Sequence, residues 1–338
     1  MSLKVGMVSL GCSKNQVDAE RMLYKINEAG YQLVSDAALA DIAIINTCGF
    51  IQSAKEEAIE TILEFVALKN EGRIKHIIIT GCLAERYREE ILTEIPEADA
   101  VIGIGCNDDI VSVIEKVTGG EQLTKFGVKE GLCLTGKRIR TTLPFFSYLK
   151  IAEGCDNCCS YCSIPKIRGR FRSVPMEDLV AEAESLVEHG VRELIVIAQD
   201  TTRYGEDLYG KPALAELLKK LCSIEQLKWI RVLYLYPERI NDELLDVIAG
   251  EEKIVKYMDI PIQHCDGEIL KRMHRHGNEE ELKKLFTHIR EKVPGVIIRT
   301  TLITGFPGET EEQFNRLADF VTEMRFDRLG CFPYSAEE

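Results

Sequence analysis

Residues Phe145–Cys162, FFSYLKIAEGCDNCCSYC, decide how the chain is read. Phe145–Ile151 is a short, mostly apolar run that suits a buried strand, and it leads almost at once into a loop with four cysteines in eight positions. Several pairings exist there, a CxxC at Cys155 and Cys158 among them. Only one choice of three, Cys155, Cys159 and Cys162, gives the spacing CxxxCxxC. Toward the carboxyl end, strand-like runs recur at Glu193–Ala198, Trp229–Leu235, Tyr257–Ile262, Val296–Ile303 and Arg328–Phe332. Helical patterns lie between them at Met176–His189, Pro212–Leu221, Asp242–Ala249, Glu279–Val293 and Thr310–Glu323. Six βα-like units predict an α/β partial barrel of six parallel strands, although alternation alone also permits a flat doubly wound sheet. A barrel of this kind carries its site at the carboxyl ends of the strands, and the cysteine-dense loop follows the first strand.

In the other direction, the apolar runs are punctuated by single cysteines. Val5–Leu10 ends in Gly11-Cys12, Asp41–Ile45 in Asn46-Thr47-Cys48, and His76–Thr80 in Gly81-Cys82. A helical pattern at Asp18–Ala29 stops at Gly30, and another at Ser53–Lys69 opens with the capping-box spacing Ser53…Glu56. Strand, helix, strand at this interval predicts an open parallel α/β sheet with the three cysteines at the carboxyl ends of neighbouring strands. Their separations, 36 and 34 residues, are each about one βα unit, so one site can draw on three loops. Three buried thiols with no shared role are the plainer alternative. Between Lys116 and Thr142 periodicity fades, and the boundary is expected near Gly136-Lys137, dividing the chain into 1–135 and 136–338.

Length and composition fit this division. The chain has 338 residues, 45% hydrophobic and 29% charged, as two soluble globular domains would have. A net charge of −13 argues against a broad basic surface for nucleic-acid phosphates. The run Val5–Leu10 is too short for a signal-peptide core, and no segment approaches the ~20 apolar residues of a membrane span. A cytoplasmic protein with no membrane partner is expected. Twelve cysteines in such a chain point to metal binding or catalysis rather than to a disulfide framework.

Thiolates are the usual ligands of a cubane iron–sulfur cluster, and three of them leave one of four irons without a protein ligand. Such an iron can chelate the amino and carboxylate groups of a methionine moiety and bring its sulfonium within reach of an electron. A structural zinc site normally wants four ligands in two pairs, and no second CxxC or HxxxH follows here.

The segment Cys155–Ser173, CDNCCSYCSIPKIRGRFRS, with Arg168-Gly169, Arg170 and Arg172-Ser173, resembles the radical S-adenosylmethionine superfamily and, within it, the methylthiotransferases. The resemblance covers nearly the whole chain. Cys12, Cys48 and Cys82 match that family's auxiliary-cluster ligands. Ser9–Asp18 (SLGCSKNQVD), Thr47–Ala54 (TCGFIQSA) and Ala198–Gly205 (AQDTTRYG) are similar to the branch that modifies a ribosomal protein. The resemblance implies two [4Fe-4S] clusters and S-adenosyl-L-methionine as cofactors. It implies methylthiolation of an aspartate β-carbon in a loop of a small-subunit ribosomal protein, with Cys155, Cys159 and Cys162 as the radical-generating, catalytic set. An electron donor such as a flavodoxin or ferredoxin and a sulfur source are implied as partners. That carbon is far too weakly acidic for a side-chain base, which is why a radical is needed. The same chemistry on a tRNA adenosine, or an electron-transfer protein without catalysis, are the alternatives.

Other positions are expected around the cofactor. Tyr161 would wall the adenine, and Gln199 and Asp200 would sit near the methionine amino group. Gln263 is favoured over its neighbour His264, and Gly305, in the glycine-bearing stretch Arg299–Glu309, lies on the nucleotide side. Cys106 is set aside as a fourth auxiliary ligand, and Cys133, Cys158, Cys222, Cys265 and Cys331 are taken as incidental thiols. Members of the family continue past a segment like Pro333–Glu338 into a small β-rich TRAM domain, which this sequence does not reach.

Overall fold

Runs of β-branched and other apolar residues make strands that are buried on both faces, and the middle of the first sheet is built from them. The computed structural model describes residues 3–336; Met1, Ser2, Glu337 and Glu338 lie outside it. The chain divides into two units. The first contains β1 (Lys4–Ser9), β2 (Gln32–Val34), β3 (Ile42–Thr47), β4 (His76–Gly81), β5 (Ala100–Ile102) and β6 (Leu123–Lys125), all parallel, in the order β2-β1-β3-β4-β5-β6. Every residue of β3 is buried. Its alternate side chains serve two cores: Ala43 and Ile45 pack with Ala58, Ile62 and Ile79, whereas Ile42 and Ile44 pack with Met22, Ile26 and Ile114. Helices therefore cover both faces. The order reverses at β1, which opens a crevice at the carboxyl ends of β1 and β3.

The helices of this unit are α1 (Ser13–Glu28), α2 (Gln52–Asn70), α3 (Cys82–Tyr87), α4 (Glu89–Glu94) and α5 (Ile110–Thr118). α1 begins five residues before the expected Asp18, because its first turn is polar yet buried and shows no apolar period. α2 begins at Gln52 with Ile51 at the N-cap and no side-chain cap, so the expected box at Ser53 and Glu56 does not form. The division between units falls at Thr141–Thr142 rather than at 135–136. Glu20 on α1 explains the extra length: its carboxylate accepts from Arg138 Nη1 at 2.6 Å and from the Thr141 amide at 2.8 Å. Ser163–Arg170, carrying α6 (Ile164–Arg168), also belongs to this unit, and Ile167 packs with Cys82, Ile104 and Leu132.

The second unit, Thr142–Cys162 and the chain from Phe171 on, has β7 (Phe146–Lys150), a short antiparallel pair β8 (Ala152–Glu153) and β9 (Arg172–Ser173), then β10 (Glu193–Ile197), β11 (Trp229–Val232), β12 (Ile254–Asp259), β13 (Ile297–Thr304) and β14 (Arg328–Pro333). The main sheet runs β14-β13-β12-β11-β10-β7, parallel throughout. Its spatial order is its chain order, so right-handed crossovers place the intervening helices on one face and the partial barrel is preferred over the flat sheet. Those helices are α7 (Met176–Glu188), α8 (Glu206–Tyr209), α9 (Leu214–Cys222), α10 (Asp242–Gly250), α11 (Gly267–Arg272), α12 (Glu279–Lys292) and α13 (Glu311–Met324). All six expected strands form, with ends displaced by up to three residues, as at β12 against the expected Tyr257–Ile262. Among the described residues, no helix is long and apolar enough to cross a membrane.

Candidate functional site

In the first unit, strand register fixes where the thiols go. Ser9, Asn46 and Thr80 lie side by side across β1, β3 and β4, so the three chains leave the sheet at one level and deliver Cys12, Cys48 and Cys82 there. Cys12 is the N-cap of α1, and Cys82 is the first residue of α3. Gly11, at φ +85°, must be glycine: a Cβ on it would stand 2.6 Å from Cys48 Cβ and 2.8 Å from Cys48 Sγ. The Asn15 side chain donates to the Leu10 carbonyl at 2.8 Å and the Thr47 carbonyl at 3.3 Å, and the Asn46 amide returns a bond to the Asn15 carbonyl at 2.9 Å. These bonds stitch the first turn of α1 to the strand ends.

Arg168 completes the arrangement. Its side chain is fully buried. Nη1 donates to Asp18 Oδ2 at 2.9 Å, and Nη2 donates to Asn15 Oδ1 at 3.3 Å and to Cys82 Sγ at 3.6 Å. Burial raises the Cys82 thiol to about 12, with Arg168 pulling the other way. At Cys12 burial also opposes ionisation, but Lys14, Arg168 and the amides of Asn15 and Lys14 outweigh it, and the thiol lies below its ordinary value. Cys48 is raised by burial and by the charge of Cys12. Cys106 stands apart, packed among Val5, Met22 and Ile110.

The second triad is equally furnished. The loop from Cys155 to Cys162 is tied down by Ser160, whose amide and hydroxyl donate to the carbonyls of Met273 and Arg272, and by His274 against the Cys158 carbonyl. Cys158 itself is exposed, at φ +51°. The Asn157 amide donates to Cys155 Sγ at 3.5 Å, and the Tyr236 hydroxyl lies 2.9 Å from Cys159 Sγ. Burial, then the charges of Asp200, Cys159 and Asp156, push the Cys155 thiol up to about 11. The phenols of Tyr161 and Tyr236 are pushed far above their ordinary value by burial, with Cys159 adding to it and Arg275 opposing it. Arg275 lies over the Tyr236 ring, 4.0 Å from its centre.

Among the described residues, no three His, Cys, Asp or Glu side chains are gathered tightly enough for one metal ion. A cluster of irons spreads its thiolate ligands wider than one ion does. Hydrogen-bond donors and cations aimed at sulfur suit such thiolates. Both triads therefore fit a cluster.

The remaining expected residues divide. Asp200 is fully buried beside Cys155 and accepts from Asn157 Nδ2 at 2.9 Å. Tyr161 lies beside Cys159 and packs with Ile303, Phe306 and Met273. Gln263, at φ +70°, bonds through its backbone to Thr301 and Ile303 at the end of the sheet. Gly305, at φ +73°, has open space where a Cβ would be, and its amide donates to Glu309. Gln199 lies two residues beyond the end of β10. His264 is held between the Asp266 amide and Glu309 and is buried, as a structural histidine is. Sequence reasoning gave no role to Tyr236, Arg275 or Lys14, and quoted Arg168 only as part of a pattern. The one available signal was position, since Tyr236 follows β11 by four residues.

Two family models match: "Uncharacterized protein family UPF0004" over residues 4–103 and "Radical SAM superfamily" over residues 149–321. A protein of Lachnoclostridium phytofermentans called "Ribosomal protein uS12 methylthiotransferase RimO" is 56% identical, over 99% of this chain and 77% of the relative. Relatives of the same name from Thermoanaerobacter sp. and Geobacter sulfurreducens are 53% and 50% identical, covering 76% and 75% of their lengths. Among solved structures, the radical S-adenosylmethionine methyltransferase TsrM of Kitasatospora setae, described with cobalamin and a [4Fe-4S] cluster bound, matches with TM-score 0.72 at 13% identity, over 98% of this chain and 75% of that one. That likeness is one of fold.

Proposed function

The chain belongs to the ribosomal protein uS12 methylthiotransferase (RimO) family of the radical S-adenosylmethionine superfamily, and from that premise we propose that it places a methylthio group on the β-carbon of an aspartate in ribosomal protein uS12. One observation carries the proposal beyond a generic radical enzyme: a second set of three thiols, Cys12, Cys48 and Cys82, leaves one sheet at one level around a buried arginine. When bound, the cluster at Cys155, Cys159 and Cys162 supplies the electron that cleaves S-adenosylmethionine, and the cluster at the other triad supplies an iron for the sulfur to be transferred.

The chain's own residues do the rest. Asn157 and Tyr236 hold the sulfurs of Cys155 and Cys159, Asp200 and Gln199 receive the methionine amino group, and Tyr161, Gln263 and Gly305 bound the nucleotide. Burial of Cys155 and Cys159 keeps water from the reactive species. A flavodoxin or ferredoxin would deliver the electrons, a separate sulfur donor would reload the site, and a ribosomal substrate places the work in the cytoplasm.

Anaerobic reconstitution should load about eight irons per chain, and reduction should release 5′-deoxyadenosine. Mass spectrometry should then find a methylthio adduct on the aspartate of a uS12 loop peptide and none on a tRNA anticodon arm. Modification of the tRNA arm alone would overturn the substrate, and cluster binding without cleavage would overturn the enzyme.

A further inference from the structure

We propose that Arg168 is a positioning residue of the amino-terminal thiol site, holding the Cys82 sulfur and supplying the positive charge against which an anionic sulfur ligand, a hydrosulfide or alkanethiolate, binds. This rests on the auxiliary-cluster reading of Cys12, Cys48 and Cys82.

A fully buried guanidinium is expensive to desolvate, and a hydrophobic side chain of similar volume would generally serve stability as well. Arg168 is nevertheless placed with care. It lies six residues beyond Cys162, yet its segment folds with the first unit rather than with the chain on either side of it. α6 ends there at Gly169, which takes φ +77°. One edge of the guanidinium is pinned by Asp18 and Asn15, both on α1, the helix that Cys12 caps. The same nitrogen that reaches Asn15 also reaches Cys82 Sγ. Asp18 and Asn15 therefore fix the orientation, and Nη2 is shared between Asn15 and the sulfur.

The guanidinium charge is buried with the triad, one nitrogen lying 3.6 Å from Cys82 Sγ. Three thiolates and a fourth sulfur anion in one buried place would repel strongly. Lys14 is buried two residues from Cys12 and adds a second cation, but Arg168 is the one with a donor directed at a sulfur of the triad. A neutral thioether gains nothing from such a charge, so the site should discriminate between sulfur ligands by charge.

The test uses the full chain with Cys155→Ala, Cys159→Ala and Cys162→Ala, so that only the first triad is loaded. Arg168→Gln and Arg168→Lys are made in that background, and the iron content of each is measured. The midpoint potential is read by electron paramagnetic resonance during redox titration, and binding of methanethiolate and of dimethyl sulfide is read from the same signal. Arg168→Gln should shift the potential negative and weaken methanethiolate binding about tenfold or more, the worth of one hydrogen bond to a charged group. Dimethyl sulfide should be unaffected, and Arg168→Lys, which keeps the charge, should recover most of the shift. Unchanged potential and thiolate affinity in Arg168→Gln would overturn the inference. If Arg168→Gln takes up no iron, Arg168→Lys decides: iron uptake with a near-parental potential supports the charge, and failure to load overturns it in favour of a packing role. If the parent itself loads no iron at this triad, the auxiliary-cluster reading fails instead.

Discussion

Replacing Tyr236 by Phe removes one oxygen atom and keeps the ring that lies under Arg275. That oxygen is 2.9 Å from Cys159 Sγ, and both residues are only 8% exposed, so bulk water cannot readily take its place. In the cluster-free protein the lost bond joins neutral partners and is worth about 0.5–1.5 kcal/mol. With Cys159 as a ligand, the phenol donates to a sulfur carrying negative charge, and the bond is worth about 1.5–3 kcal/mol. Cluster affinity feels only the difference, about 1–1.5 kcal/mol, so at about 1.4 kcal/mol per factor of ten the cluster should be held about 5- to 12-fold less tightly. The assay is iron release to a ferrous chelator from anaerobically reconstituted protein, followed by absorbance. Release should resolve into two phases. The phase assigned to Cys155, Cys159 and Cys162 by cysteine substitution should accelerate by that factor in Tyr236→Phe, while the other stays put. Identical release in parent and variant would refute the reasoning, and equal acceleration of both phases would assign the effect to general loosening.

Gly11→Ala should cost the first triad its cluster, because the new methyl would overlap Cys48 and the residue would be forced to hold φ +85° at about 1–2 kcal/mol; iron should fall from about eight to about four per chain with S-adenosylmethionine cleavage retained, and full iron content would contradict it. Glu20→Ala removes the carboxylate that lies 2.6 Å from the nearly fully buried Arg138 side chain and should destabilise the first unit by about 3–5 kcal/mol, read by protease susceptibility of that unit across a urea series; a change below about 1 kcal/mol would count against it. Burial lowers the His264 imidazole below its ordinary value despite Glu309 and Asp266. The unfolded chain therefore takes the proton first, and stability should decline as pH falls below about 6.5. His264→Gln should flatten that acid limb of the urea midpoint, and an unchanged slope would remove His264 from the account.

The parts of the fold legible in the sequence were those with a period or a run. Ile42–Thr47 and the six runs of the second unit are strands because short runs of apolar residues, β-branched or aromatic in most of them, suit an extended buried backbone, and both sheets came out parallel as the intervening helices require. Short or polar elements escaped. Gln32–Val34 and Leu123–Lys125 are partly exposed three-residue edge strands, too short to carry a period. The first turn of α1 is buried for polar reasons, so hydropathy placed the helix start five residues late. α6 was the least accessible of all: five residues, flanked by chain of the other unit, recognisable only by the side chains that gather around Arg168. For the sites, spacing located the thiols, but Tyr236 and Arg275 are 77 and 116 residues beyond Cys159 and no local pattern links them to it.

Net charge misleads in a related way. A total of −13 argues against a basic surface, yet the cations that matter are internal. Lys14 and Arg168 face the first triad, whereas Cys155 looks toward Asp200 and Asp156, with Arg275 compensating on the Cys159 side. Positive surroundings raise a cluster's potential and negative ones lower it. Cleaving a sulfonium by one electron demands the lower potential, and holding an anionic sulfur demands the more positive surroundings. The charged groups nearest the two triads thus differ in kind, and that difference is set by single side chains that a sum over the whole chain averages away.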